Sequence, residues 1–348
     1  EFVPLEEYLR VAEAVLRVFD RQEDLRKNRM KARIKVLVKR VGIDAFRQMV
    51  EEELKGEWAQ KEYDLDYWAL EDDETQYLNP PRDGWSPAPS DDGEFQRWRE
   101  TNVVRQRQPG FCSVYIKLRV GNLTADQFSA LADLVRRFIG DGPFVRTTQR
   151  QNLLLRWVRE ESLYDLYGAL KGLGLAEAGA NELTDVVSCP GTESCSLGIT
   201  SALMLGAYLT DYLSSLKEED PLVRQVRINI SGCPDGCGQH HVGHIGFHGA
   251  AIRNQSGFVP AYEVFIGGSQ VHPIRLGHHL KVKVPSKRLA EAIKAILDFY
   301  RQNRQDGEPF TAFVDRAGPD AFEGLLKPLS EVPPLGKETI DYYMDYGR

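Results

Sequence analysis

Cysteine thiols are the side chains in this sequence whose spacing points most directly to chemistry. Four of the five cysteines form two close pairs, Cys189 and Cys195 in SCPGTESC and Cys233 and Cys237 in SGCPDGCGQ. Thiolate is the ligand that iron in iron–sulfur clusters prefers, and short loops rich in glycine and proline can wrap such a centre. The sequence therefore predicts a metal site held by four cysteines.

The spacing also bears on which metal these thiols bind. Structural zinc sites mostly use pairs separated by two residues within a short span, whereas Cys189 and Cys195 are separated by five residues and Cys233 and Cys237 by three. Disulfides form mainly in oxidising compartments, and this sequence shows no signal peptide and is too long to depend on cross-links for its stability. Zinc is therefore a weaker candidate than an iron–sulfur cluster, and disulfides are weaker still.

The two motifs resemble those of a known family, the siroheme-dependent sulfite and nitrite reductases, in which a similar cysteine pair is followed by a motif like GCPDGCGQ. The resemblance implies that Cys189, Cys195, Cys233 and Cys237 hold a 4Fe-4S cluster. It also implies that Cys237 bridges to the siroheme iron as its axial ligand. Asp235 departs from the pattern, because the family usually has asparagine there, and an ionised carboxylate beside the bridging thiolate would lower the reduction potential.

A second motif carries the same resemblance. The segment VRTTQRQNLLLRWV, which begins at Val145, matches the family signature RTT-x-x-QN and is similar to the ferredoxin-like half-domain that covers part of the siroheme. Siroheme carries several carboxylates, which arginine and amide side chains suit as partners. We therefore assign four residues to siroheme or to its cavity: Arg146, Gln149, Gln151 and Asn152. The alternative is that this strand face is simply exposed to water.

Local patterns predict the elements that position these motifs. The alternation in SVYIKLRV predicts a strand over Ser113–Val120, and Asn122–Thr124 is expected to cap a helix over residues 125–138. Cys112 has no cysteine neighbour and is predicted to be a core residue. Further helices are predicted over residues 161–173, 197–213 and 290–301, the second of them starting just after Cys195, and strands are predicted at VRINI and VPAYEVFI.

The predicted fold class is mixed α/β (α+β), with a ferredoxin-like half-domain followed by a sulfite-reductase-type domain for the cluster and siroheme. We expect a helical linker and a long loop over residues 1–105, the half-domain over 106–178, the cofactor domain over 179–330 and a tail over 331–348. Helical spacing of apolar residues runs from Leu5 to Leu54. Residues 56–99 are predicted to form an ordered loop or linker that packs on its neighbours through its aromatic residues, which include Trp58, Tyr63, Tyr67, Trp68, Tyr77 and Trp85.

Composition excludes several functional classes. The chain has 348 residues, 42% of them hydrophobic, and no apolar run that approaches the roughly 20 residues needed to cross a membrane. We therefore expect a cytoplasmic protein without a membrane partner. A formal charge of −7 argues against a nucleic-acid partner. Neither a phosphate-binding P-loop nor a GxGxxG motif after a strand is present, so electrons are expected from a separate donor, such as ferredoxin or a flavoprotein.

Histidines form a cluster after the second cysteine pair, at His240, His241, His244 and His248. Two of them four residues apart could bind a metal on one face of a helix, but the glycines of this segment disfavour a helix. These histidines are therefore predicted to be core or surface residues instead of a second metal site.

Two functions from different classes are consistent with the sequence. The first is the cluster-bearing half of an assimilatory sulfite or nitrite reductase, which reduces sulfite to sulfide or nitrite to ammonia with six electrons. The second is a non-catalytic iron–sulfur subunit for electron transfer or structure. The resemblance covers only the second of the family's two related halves, so an N-terminal half or a partner subunit is expected to supply the substrate-binding arginines and lysines. No catalytic residue is assigned in this chain, and the sequence leaves sulfite and nitrite open.

Overall fold

Helices and strands are combined in two compact units. The computed structural model describes residues 2–28, 31–63, 78, 84–142 and 144–347. The units comprise Glu1–Asp73 and Glu74–Arg348. This mixed composition confirms the predicted α/β class, while the boundaries predicted within the second unit stay predictions. Among the described residues, none of the helices combines the length and the apolar character needed to span a membrane.

The first unit is helical where the sequence predicted helices. Its described part contains α1 (Tyr8–Asp20), α2 (Glu23–Arg26), α3 (Ile34–Val41) and α4 (Ile43–Glu53). Gly42 adopts a φ of 85°, which ends α3 and starts α4. Apolar residues of all four helices pack into one small core, among them Val18, Leu25, Leu37 and Phe46.

The predicted loop over residues 56–99 ends earlier than expected. Helix α5 (Gly93–Asn102) begins inside it, because the Asp92 carboxylate accepts a hydrogen bond of 2.9 Å from a backbone N–H in the first helical turn. The ring of Trp85 stacks on Phe138 with the ring centroids 5.2 Å apart. Three of the aromatic residues predicted to pack here lie outside the described residues, namely Tyr67, Trp68 and Tyr77.

A four-stranded antiparallel sheet opens the second unit. Its strand order is β1-β2-β4-β3, and its strands are β1 (Val103–Arg105), β2 (Phe111–Ile116), β3 (Val145–Thr147) and β4 (Leu153–Arg159). Helices α6 (Ala125–Phe138) and α7 (Leu163–Gly172) contribute buried side chains to the same core as the strands, and Cys112 lies in that core as predicted. Residues of α6 and β4, such as Leu131 and Leu155, are 2% and 0% exposed.

Local signals explain the ends of these elements. Thr124 and Gln127 form a reciprocal capping box that starts α6 at the predicted residue. Strand β2 is shorter than predicted and ends at Ile116, because the chain turns at Arg119–Gly121, where Val120 has a left-handed φ of 48°. Alternation of apolar and polar residues continued past the end of the strand and did not reveal this turn.

A second sheet of five strands follows in the order β5-β6-β7-β8-β9. Its strands are β5 (Val187–Ser188), β6 (Ile228–Ser231), β7 (Ile245–Asn254), β8 (Gly257–Ile266) and β9 (His278–Pro285). Strands β5, β6 and β7 run parallel, whereas β8 is antiparallel to both β7 and β9. Both predicted strands, VRINI and VPAYEVFI, therefore belong to this sheet.

Helices share one large core with this sheet. They are α8 (Ala202–Ser215), α9 (Pro221–Arg224), α10 (Leu289–Asn303), α11 (Phe310–Ala317) and α12 (Pro319–Leu326). Strand residues such as Phe247, Val264 and Val284 are fully buried in that core. The tail that follows α12 comes back to α8, where the Asp345 carboxylate accepts a 2.7 Å hydrogen bond from Ser201 N.

Candidate metal centre

The two cysteine motifs leave the second sheet at the same edge. Strand β5 ends at Ser188, directly before Cys189, and β6 ends at Ser231, two residues before Cys233. These strands are parallel neighbours, with Val187 opposite Asn229. Because parallel strands end on the same side of a sheet, loops that are more than 30 residues apart in the chain become adjacent in space. We call this region, with all four cysteines, the cysteine edge.

Backbone contacts hold the two loops together. The N–H of Gly232 donates a hydrogen bond of 3.0 Å to the Cys189 Sγ atom. A Cβ atom on Gly232 would lie 2.7 Å from Gly191 Cα, so only glycine permits this approach. Gly232 also accepts hydrogen bonds at its carbonyl from Ile199 N (2.8 Å) and Thr200 N (3.1 Å). The segment after Cys195 is therefore fixed to the second loop.

This contact explains why one of the predicted helices begins later than expected. The prediction placed a helix start just after Cys195, but α8 begins at Ala202. Residues 199 and 200 use their N–H groups to bind Gly232 instead of opening a helix. The N-terminus of α8 is thus seven residues from Cys195 along the chain.

All four thiols are free, which a metal site requires. None of them forms a disulfide; Cys189 and Cys233 are buried, Cys195 is partly buried and Cys237 is exposed. Burial raises the pKa of the Cys233 thiol, although a hydrogen bond from the Asp235 backbone opposes this effect. A cation at this position would remove that penalty, because it stabilises the thiolate that binds it.

The four thiols offer a ligand set that both structural zinc ions and 4Fe-4S clusters use. The separations of five and three residues within the two pairs differ from the two residues most common at structural zinc sites. The spacing along the chain therefore favours a cluster over a zinc ion at the cysteine edge.

The predicted siroheme residues lie on a hairpin and not on one continuous strand. Strand β3 ends at Thr147, the chain turns, and Gln151 adopts a left-handed φ of 64° before β4 begins at Leu153. The turn is closed by the Thr148 N–H, which donates a hydrogen bond of 2.9 Å to the Asn152 carbonyl. We call residues 145–153 the signature hairpin. Gln149 is exposed and Arg146 is partly buried on it.

Gln151 and Asn152 are engaged inside the protein. Gln151 forms two hydrogen bonds with the backbone of Ser188. It donates one to the Ser188 carbonyl (2.7 Å) and accepts one from the Ser188 N–H (3.0 Å). Asn152 is 1% exposed. Its side chain donates a hydrogen bond of 2.8 Å to the Asp185 carboxylate and accepts one of 2.9 Å from Leu118 N. Both side chains therefore hold the hairpin against residues 185–188, the segment that leads into Cys189.

Sequence reasoning missed a buried polar network beside these residues. Arg150 donates hydrogen bonds to the Asp185 carbonyl (2.7 Å) and to Gln270 Oε1 (3.3 Å). Gln270 in turn donates a hydrogen bond of 2.6 Å to Gln239 Oε1. The network thus runs from the hairpin to the residue two positions after Cys237. A polar residue in the apolar run LTDVVSC, Asp185, was the available signal for it.

Burial dominates the electrostatics of this network. It lowers the pKa of Arg150, against the opposing effect of Asp185. His244, whose Nδ1 atom accepts a 3.1 Å hydrogen bond from Arg227 N, has its pKa lowered to about 4 by burial and by the charges of Arg227 and Arg150. His244 is consequently neutral at physiological pH and has a structural role.

A groove of about 720 Å³ separates the hairpin from the first cysteine loop. It is lined by residues from both sides, including Thr147, Gln151, Ser188, Pro190 and Ser194. Its size is within the range of cofactor sites, and it lies where the predicted siroheme motif and the cysteine edge meet.

Comparisons with known proteins agree with this geometry. The family model of the nitrite and sulphite reductase 4Fe-4S domain matches residues 1–57 and 179–333, and that of the nitrite/sulfite reductase ferredoxin-like half domain matches residues 104–173. The second match falls on the antiparallel sheet with α6 and α7. The first includes the whole cysteine edge.

Individual relatives are similar over most of this chain. Sulfite reductase (ferredoxin) 1 of Mycolicibacterium paratuberculosis is 29% identical over 91% of this chain and 52% of its own length. Ferredoxin–nitrite reductase of Synechococcus elongatus is 28% identical over 83% of this chain and 50% of its own length. The solved structure of the NirA protein of Mycobacterium tuberculosis is 27% identical, with a TM-score of 0.65 over 92% of this chain and 54% of that one.

The chain spans about half the length of the curated relatives that it matches. Within that span, the 4Fe-4S domain model covers more than half of the chain's residues, and the structural likeness extends over nearly all of it. The free thiols and their common sheet edge are consistent with that model. The chain therefore belongs to the nitrite and sulphite reductase 4Fe-4S domain family.

Proposed function

We propose that this chain is the half of a ferredoxin-dependent sulfite or nitrite reductase that carries the 4Fe-4S cluster and the siroheme. The observation that carries the proposal is the cysteine edge: four free thiols lie in two loops that follow neighbouring parallel strands and are held together through Gly232. The M. paratuberculosis relative, which covers more of this chain than the S. elongatus one, is named a sulfite reductase, so sulfite is the proposed substrate and nitrite the alternative.

Particular residues have particular roles in this proposal. The four thiolates of Cys189, Cys195, Cys233 and Cys237 bind the cluster. The Cys237 thiol is the most exposed of them, which suits the shared ligand between cluster and siroheme. When bound, these two cofactors supply the one-electron steps that a six-electron reduction needs and that side chains cannot supply.

The signature hairpin has two functions in the proposal. Arg146 and Gln149, at or near its surface, offer cationic and amide groups to siroheme carboxylates. Gln151 and Asn152 position the hairpin, because their polar atoms bind Ser188, Leu118 and Asp185. The substrate-binding cations are proposed to come from the other half, either upstream in the same polypeptide or in a partner subunit.

Anaerobic purification followed by optical and EPR spectroscopy tests the proposal, with iron, zinc and acid-labile sulfide counted. We expect about four cluster irons and, with siroheme bound, about one more. Cys237→Ala is expected to lose the coupling between the two cofactors and most of the siroheme. The matched control is Cys112→Ala, which removes a buried thiol of the antiparallel sheet and should leave the iron content unchanged.

Three outcomes distinguish the alternatives. A cluster without siroheme would favour an electron-transfer subunit, and zinc without sulfide would contradict the iron–sulfur assignment. Size-exclusion chromatography with mass analysis tests the missing half. A chain that is siroheme-loaded and active by itself would contradict the need for it.

A further inference from the structure

Outside the cysteine edge, the described residues contain a second group of metal-binding side chains, on the sheet that β7, β8 and β9 form. His248 of β7 lies directly opposite Glu263 of β8, and His279 of β9 lies opposite Phe265. A register shift between residues 263 and 265 brings His279 alongside Glu263. We call His248, Glu263 and His279 the histidine triad.

The triad presents three ligand atoms to one point. Glu263 Oε2 is 3.4 Å from His248 Nε2 and 2.7 Å from His279 Nε2. All three atoms lie within 4.8 Å of one another. With metal–ligand bonds of about 2.0–2.2 Å, a tetrahedral site places neighbouring ligand atoms about 3.3–3.6 Å apart, so only a small adjustment would accommodate an ion.

Hydrogen bonding at His248 points its second nitrogen, Nε2, at the Glu263 carboxylate as a potential ligand atom. Its Nδ1 atom is 3.2 Å from the Gly249 carbonyl oxygen, which can only accept, so Nδ1 carries the proton. In the neutral ring, Nε2 is then an acceptor that faces a carboxylate oxygen, also an acceptor. Two facing acceptors repel each other unless a second proton or a metal ion lies between them. A backbone carbonyl that orients an imidazole in this way is common around metal ligands.

Neighbouring residues hold the triad in this arrangement. Lys283 Nζ binds the other carboxylate oxygen, Oε1, at 3.1 Å and leaves Oε2 to the two imidazoles. The Phe265 ring stacks on His279 with centroids 4.6 Å apart and contacts His248 at 5.5 Å. Because the Lys283 side chain is 45% exposed, water screens the repulsion between its charge and a bound cation.

The site is buried on one side and open on the other. The side chains of His248 and Glu263 are 10% and 20% exposed, whereas that of His279 is 52% exposed. Solvent can thus reach the ligand atoms past His279. On the buried side, His240 packs edge-on to His248 with centroids 5.0 Å apart, and its Nε2 atom has no hydrogen-bond partner in the described structure.

We propose that the histidine triad binds a divalent first-row transition cation, with Zn²⁺ as the representative ion. Two imidazoles and one carboxylate are a ligand set for borderline ions of this class, and three protein ligands leave a coordination position for water. The site is chemically distinct from the cysteine edge because it contains no thiolate. The proposal does not depend on the reductase function.

Zinc binding to the cluster-loaded full chain tests this site. The protein is treated anaerobically with chelator, dialysed against Zn²⁺ and analysed by mass spectrometry and zinc K-edge X-ray absorption. We expect about one zinc per chain with a shell of nitrogen and oxygen at about 2.0–2.1 Å. His279→Ala should weaken binding by at least about 100-fold, because even the loss of an outer partner of a metal ligand costs 10–100-fold.

Matched variants make the test specific. His278→Ala removes the neighbouring exposed imidazole on β9 and should leave zinc affinity unchanged. Glu263→Gln preserves the shape of the side chain and should weaken binding as His279→Ala does. Circular dichroism checks that each variant is folded. A sulfur shell at about 2.3 Å would place the zinc on cysteines and overturn the proposal. Absence of bound zinc, or affinity unchanged in both triad variants, would also overturn it.

Discussion

The cysteine edge and the signature hairpin are neighbours in the second unit, but they use their polar groups differently. At the cysteine edge, the four thiols form no disulfides, and the loops are held by backbone contacts such as that of Gly232 with Gly191. At the hairpin, both polar atoms of Asn152 and both of Gln151 are occupied by other parts of the protein. One region leaves its functional atoms available, and the other uses them to hold the architecture.

This difference shows what a motif can and cannot indicate. An amide in a cofactor motif can face the cofactor or hold the loop that faces it, and the residue type is the same in both cases. Buried amides need partners, since an unsatisfied polar atom costs about 1–3 kcal/mol. The hydrogen bonds of Gln151 to Ser188, the residue that precedes Cys189, therefore favour the positioning role that we propose for it.

The largest expected effect is at the backbone contact of the cysteine edge. In Gly232→Ala, the new Cβ atom would lie 2.7 Å from Gly191 Cα and 2.8 Å from the Thr200 carbonyl oxygen, and both are backbone atoms with little freedom to move. We expect a loss of about 1–3 kcal/mol or more in stability and a loss of most cluster iron. Iron analysis and urea unfolding measure the two effects.

Gly324→Ala is the matched control. Gly324 lies in helix α12, and a Cβ atom added there would meet no neighbouring side chain or distant backbone within 4 Å among the described residues. Alanine should therefore stabilise the helix by about 0.5–1 kcal/mol and leave the iron content unchanged. If Gly232→Ala kept its full iron content, the close contact between the two loops would not be what holds the thiols in place.

A smaller effect is expected at the hairpin. Asn152→Ala leaves Leu118 N without its acceptor and removes one of the donors to Asp185, so we expect a loss of about 1–3 kcal/mol in stability even without siroheme. Gln149→Ala, on the exposed tip, should change stability by less than about 0.5 kcal/mol. Urea unfolding of the siroheme-free chain makes the comparison.

The reverse result at the hairpin would change the assignment of these residues. If Asn152→Ala had wild-type stability without siroheme but bound less siroheme, Asn152 would be a direct cofactor contact. If Gln149→Ala reduced siroheme binding at unchanged stability, the exposed tip would be the part of the hairpin that contacts the cofactor. The two measurements therefore separate positioning from binding at each residue.

Sequence patterns predicted the parts of this molecule that depend on neighbours along the chain. Helix α6 begins where Thr124 predicted it, because its capping box is complete within four residues. The predicted start of α8 was wrong, because the N–H groups of Ile199 and Thr200 bind Gly232, which is more than 30 residues away in the chain. The histidine triad was missed for a related reason: helical spacing was the pattern considered, whereas strand register brings His248 to Glu263 and His279.

The smallest effect is expected at Asp235, between Cys233 and Cys237 at the cysteine edge. Its carboxylate is exposed, and a negative charge near the cluster disfavours the reduced, more negative state. Asp235→Asn should therefore raise the cluster midpoint potential, on the order of 10–40 mV at low ionic strength, which corresponds to about 1 kcal/mol or less of screened interaction per electron. Potentiometric titration followed by EPR measures the shift. Because salt screens exposed charges, the difference between the two proteins should shrink at high ionic strength; a shift that did not depend on salt would instead indicate that the substitution rearranges the second loop.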